Sequence, residues 1–143
     1  MEVADLTYPA AQLPSSVATA LDLALDDEYK ALATYQATVE SLGAVRPFIM
    51  IIRAEEQHIA ALKALYDKYS LEIPANRWLG NIASPSTLQQ ACSDGVQAEI
   101  ANAALYQEQL LPQVVQYPDI TSVFMALSQA SEQKHLPAFE KCQ

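Results

Sequence analysis

Glycine, histidine, positive charge and long apolar runs are all scarce in this chain, and each shortage narrows the reading. Three glycines in 143 residues, with abundant Ala, Leu and Gln and few β-branched runs, favour helix over strand. No stretch of 18 apolar residues exists, so no segment reads as a membrane-spanning helix. Lys and Arg number 8 in a chain of net charge −9. Nucleic acid and anionic membranes both need clustered basic residues, so neither is expected as a partner. The acidity alone does not argue for cation storage, because acidic solvated surfaces are common. The amino terminus, Met1-Glu2-Val3-Ala4-Asp5, lacks the basic and apolar regions of a signal peptide. A cytoplasmic protein is expected, with the mature form of an exported one as the alternative.

What is present is enough for one domain, residues 1–143, since 51% of the side chains are hydrophobic and can fill a substantial core. Residues 1–14, with Pro9 and Pro14 around Tyr8, read as an extended strap, and Ser15 or Ser16 is expected to cap the first helix. Its core stripe runs Leu21, Leu25, Glu28, Leu32, Tyr35, Val39, Leu42 and stops at Gly43. A second stripe follows Pro47 through Phe48, Ile51, Glu55, His58, Leu62, Leu65 and Tyr69. Residues 70–85 carry Pro74, Trp78, Gly80 and Pro85 and read as a long connection, with Trp78 packing it onto the helices. The third helix is expected from about Ser86, with Cys92, Gly95, Glu99, Ala103 and Tyr106 on one face. The fourth is expected from Asp119 as its cap, with Glu132, His135, Phe139 and Cys142 in register and a kink at Pro137. If helices two and three are parallel, the chain must recross about 36 Å between them. Sixteen extended residues span roughly 53 Å, so a crossover is feasible.

Each of the four stripes is interrupted near its middle by a polar residue, and the interruptions repeat. His58 and His135 each have a glutamate three residues before them, Glu55 and Glu132. Upstream, Glu28 precedes Tyr35 and Glu99 precedes Tyr106, both by seven. With ten glutamates in the chain, a given histidine finds one at that spacing by chance roughly 7% of the time, and both do so roughly 0.5% of the time. The repetition is therefore not accidental. Spacing of three on a helix turns one carboxylate and one imidazole to the same point, and two further glutamates complete a set of four carboxylates and two imidazoles. Burying four unpaired carboxylates costs several kcal/mol each, and no basic residue lies on any stripe. Two divalent cations would match the four carboxylates in charge, and such oxygen and nitrogen donors suit iron or manganese. Glu56 faces about 100° away from Glu55 and reads as solvated. Asp26 and Asp27 read as a solvated face, with a hydrogen bond to a ligand histidine as the alternative.

This pattern resembles the ferritin-like di-iron and di-manganese carboxylate proteins, four-helix bundles in which two helices each supply a Glu and two supply Glu-x-x-His. The resemblance covers roughly residues 15–142 and is closest to an uncharacterised bacterial ferritin-like group, including the His-Leu-Pro-Ala-Phe stretch at 135–139. It implies an all-α ferritin-like bundle with a long crossover between helices two and three. It also implies Glu28 and Glu99 as single ligands, Glu55 and Glu132 as bridging ones and His58 and His135 as terminal ones. Tyr35 and Tyr106 match the tyrosines that hydrogen-bond the metal carboxylates in rubrerythrins and ferritins; without the resemblance they read equally as core tyrosines. Three features depart from the pattern. Asn102 stands where rubrerythrins carry an extra glutamate, the two cysteines cannot make a rubredoxin module, and the chain ends within ten residues of His135, leaving no match to ferritin's short fifth helix.

The resemblance implies two iron ions per chain, with manganese as the alternative, and an oxidoreductase that reacts with O2 or H2O2 as a ferroxidase or peroxide reductase, fed by an external electron donor. A homodimer is a further expectation. The alternatives are a non-catalytic iron-storing or structural metal protein and a dimanganese catalase. In the ferritin-like arrangement helices three and four are antiparallel, so Cys92, seven residues before Glu99, and Cys142, seven after His135, come to the same end of the bundle. A disulfide there is one expectation, and two buried free thiols are the other.

Overall fold

Four rods of helix, laid side by side, follow from four apolar stripes that can be buried only against one another. The structure is a computed structural model and describes residues 12–143. Most of the strap expected at 1–14 lies outside the described residues. Helix α1 spans Ser15–Leu42 and α2 spans Phe48–Lys68. Helix α3 spans Leu88–Ala104 and runs on through a π-turn, Leu105–Leu110, and a 3-10 turn, Leu111–Gln113. Helix α4 spans Pro118–Ala130, continues through a second π-turn, Ser131–His135, and ends as the short α5, Leu136–Glu140. No strand occurs among the described residues, and no described helix is long and apolar enough to cross a membrane.

The stops are local chemistry. Gly43 ends α1 at φ 93°, a backbone angle that side chains resist. Thr87 caps α3 by accepting from the Gln90 N–H, one residue beyond the expected Ser86. Neither Ser15 nor Ser16 caps α1; instead the Pro14 carbonyl accepts from the N–H groups of Val17 and Ala18. Asp119 does not cap α4 either, because Pro118 already opens the helix. Its carboxylate accepts from Lys68 Nζ and the Tyr69 hydroxyl, both at 2.7 Å, and ties the end of α2 to the start of α4.

Side-chain pairs fix the directions. Tyr66 donates to Asp22 at 2.6 Å while Phe48 lies against Tyr35, so α1 and α2 are antiparallel. Tyr106 bonds Glu28 and Tyr35 bonds Glu99, so α1 and α3 are antiparallel too, and α2 and α3 run parallel. The connection between them must return along the bundle. It does so beside α1: Arg77 and Trp78 donate to Asp26, Tyr29 donates to the Pro74 carbonyl, and Ser41 donates to the Pro85 carbonyl. Trp78 packs against the core as expected. The α4–α5 rod opposes α3, with Gln107 on Ser128 at one end and Cys92 bonded to Cys142 at the other.

One residue separates each π-turn from a proline. Leu111 donates to the Tyr106 carbonyl and Leu136 to the Ser131 carbonyl, five residues back, and Pro112 and Pro137 follow. A proline inside a helix clashes with the carbonyl four residues earlier and offers it no N–H. Widening the preceding turn relieves both problems. Pro137 therefore does not break the rod as a simple kink would; it changes the register of the turn that carries Glu132 and His135.

The buried apolar residues form two clusters. One gathers Leu21, Leu25, Leu62, Tyr66, Leu110 and Phe124; the other gathers Tyr35, Phe48, Ile51, Cys92, Val96 and Phe139. Between them lies a belt of buried polar groups.

Candidate metal centre

Glu28 on α1, Glu55 on α2 and Glu99 on α3 occupy core positions of their helices and are almost wholly buried, at 1%, 3% and 1% exposure. Their ion pairs, among the described residues, are with the two histidines. His58 Nδ1 lies 2.9 Å from Glu55 Oε1 and 3.2 Å from Glu28 Oε1, and His135 Nδ1 lies 3.2 Å from Glu99 Oε1. The imidazoles are 5.5 Å apart and nearly parallel, 16° between planes. Two groups result, Glu28 with Glu55 and His58, and Glu55 with Glu99 and His135, each with donor atoms close enough to hold one metal ion. Glu55 belongs to both. The fit rests on donor chemistry: three buried carboxylates without a Lys or Arg partner, converging with imidazoles, offer hard oxygen and borderline nitrogen donors that could hold a cation.

A second ring of groups orients the first. The Tyr106 hydroxyl donates to Glu28 Oε2 at 2.8 Å, and the Tyr35 hydroxyl donates to Glu99 Oε2. The tyrosine seven residues after each glutamate thus serves the other glutamate, across the α1–α3 interface. Asn102 Nδ2 donates to Glu28 Oε2 at 3.0 Å and to Asp27 Oδ2 at 2.6 Å, while its Oδ1 accepts from the Ser131 hydroxyl. Asp26 and Asp27, expected on a solvated face with a histidine partner as the alternative, are both half-buried: Asp27 accepts from Asn102, and Asp26 binds Arg77 and Trp78 of the connection.

Electrostatics follow from the shared burial. Desolvation pushes Glu28 upward, but the hydrogen bond and charge of His58 outweigh it and leave this carboxyl below its usual value. Burial, then the charge of Glu28, drives Glu55 well above the usual range. Burial lowers His58, yet Glu28 and Glu55 override it and raise the imidazole to about 10. Burial and the neighbouring carboxylates hold Tyr35 and Tyr106 far above the normal phenol value, so both stay neutral donors. Burial also raises Asp27.

Five of the six expected ligands converge; Glu132 does not. It is exposed, and Ser131 points inward in its place. The cause is the π-turn. At about 100° per residue, positions three apart share a face, as Glu55 and His58 do. In a π-turn the shared spacing lengthens, and Ser131, four before His135, takes the inner side. Asn102 had stood out only as a departure from the rubrerythrin pattern, and nothing in the spacing singled out Ser131. The readable signal for Ser131 was Pro137, whose demand on the preceding turn shifts the register. Compared with known proteins, the chain matches no family model, no curated protein and no solved structure.

Proposed function

We propose that this chain is a dinuclear metal protein of the ferritin-like kind, acting as a di-iron oxidoreductase on O2 or H2O2. The observation that carries the reading is the membership of Glu55 in both donor groups, the place of a bridging carboxylate. Glu28, Glu55 and His58 would hold one ion, and Glu55, Glu99 and His135 the other. The antiparallel and crossover relations of the helices support the ferritin-like reading. Two divalent ions carry one positive charge more than the three gathered carboxylates can cancel. Glu132, one face away on a π-turn, is the fourth carboxylate the sequence offers, and a return of that turn to α-helical register would bring it inward. A ferrous pair held there would supply electrons to an oxygen species. The chain's own part is to hold Glu28 and Glu99 through the neutral hydroxyls of Tyr106 and Tyr35, and to exclude water with an apolar cluster on either side. Turnover would draw on an external electron donor.

Anaerobic ferrous titration tests this directly. Two ions per chain are expected for the wild type. Glu55→Gln should lose both, since it removes the shared donor, whereas Glu132→Gln should lose less. A wild type that takes up less than one ion per chain defeats the metal reading. Ferrous protein that stays unoxidised after O2 and H2O2 defeats the oxidoreductase and leaves a storage or structural site.

A further inference from the structure

The Cys92–Cys142 disulfide joins α3 to the carboxy-terminal turn, with Cα atoms 5.7 Å apart. The segment it anchors is short. Helix α5 has five residues, follows a π-turn and contains Pro137. Its one buried anchor is Phe139, packed 5.0 Å from Tyr35 and 5.1 Å from Phe48 and pressed against Gly95. His135 lies immediately before it, and its ring meets Glu99, seven residues along α3 from Cys92. The two rods are thus tied in sequence by the Gln107–Ser128, Asn102–Ser131 and Glu99–His135 pairs and, beyond them, by the covalent bond.

We infer that the Cys92–Cys142 bond regulates this centre, keeping His135 against Glu99 when oxidised and releasing the turn, and with it the metal, when reduced. The proposal rests on the metal reading above. Cys142 is half-buried and Cys92 fully buried, so a thiol reductant reaches the bridge at Cys142. Its thiolate attacks Cys142 Sγ, the Cys92 sulfur leaves with the electron pair and takes a proton, and a second thiol resolves the mixed disulfide. A dithiol is oxidised and two cysteines are freed. Because coupling is reciprocal, bound metal must in turn protect the bridge.

The test compares oxidised full-length chain, chain reduced by a phosphine, and Cys142→Ser, with circular dichroism confirming that all three remain folded. Without metal, amide exchange across residues 131–142 should quicken about ten-fold when the bridge is absent, and with ferrous ion alone the affinity should fall about ten-fold. In a thiol redox buffer, ferrous ion should shift the wild-type equilibrium toward the bridge by a similar factor. Equal exchange, or equal affinity, in the oxidised and Cys142→Ser proteins overturns the proposal while leaving the metal reading standing. Absence of ferrous binding in every form overturns both.

Discussion

Glu55 and His58 sit one helical turn apart, and their opposite responses to burial decide how the metal-free centre behaves. Glu28 and Glu55 raise His58 to about 10 against its desolvation. A group whose folded value is raised contributes stability that is whole below the unfolded value, near 6.5, and is lost as pH climbs to the folded one. Chelator-treated protein should therefore melt at falling temperatures between about pH 6.5 and 10, and His58→Gln should flatten that slope. An equal slope in both proteins would remove His58 as its source. The tyrosines contribute on a smaller scale. Tyr106→Phe deletes one hydrogen bond to Glu28 and should cost about 1 kcal/mol in urea unfolding. The donor residues were legible in the sequence because a carboxylate or imidazole mid-stripe contradicts its apolar neighbours. Which tyrosine serves which glutamate was not, because that depends on the partner helix.

At the scale of the element, the third and last rods meet unusually closely. A Cβ on Gly95 would lie 2.7–2.8 Å from the Phe139 ring. That ring cannot retreat, being packed against Tyr35 and Phe48. Gly95→Ala should destabilise by roughly 1–3 kcal/mol despite its better helix propensity, and an unchanged urea midpoint would show that the ring has room. The π-turns show the limit of periodicity. Helix positions were readable from stripes at α-helical spacing, but two prolines lengthen the repeat beside the site. Pro137 was visible; the choice between breaking the helix and widening it depends on the contacts of Phe139 and Cys142 beyond.

Across the whole molecule, the disulfide closes a separation of 50 residues that includes α3, both π-turns and α4. In the chain-entropy model such a loop contributes about 4 kcal/mol by restricting the unfolded chain. Cys142→Ser should accordingly lower the unfolding midpoint far more than replacement of an exposed residue such as Val115. A midpoint within a degree or two of the wild type would mean that the unfolded chain is already compact. The sequence left the bridge open, since an intracellular protein would keep both thiols reduced and a kink at Pro137 would swing Cys142 off its stripe. The crossover was similarly conditional: sixteen residues can recross the bundle, and the contacts of Asp26, Tyr29 and Ser41 with the connection are what show that they do.

By itself, the sequence determined the helical class, four apolar stripes and the polar residues that interrupt them, because each follows from local propensity and from the 3.6-residue period of one helix. Tertiary structure decided what depends on two elements at once. It set the reciprocal tyrosine bonds, the closure of Cys92 on Cys142, and the sharing of Glu55 between two donor groups. It also decided against Glu132, for the inward face of a turn is a property of its register. Pro137 and the packing of Phe139 shift that register by one residue, and Ser131 turns inward where the Glu-x-x-His spacing had promised a carboxylate.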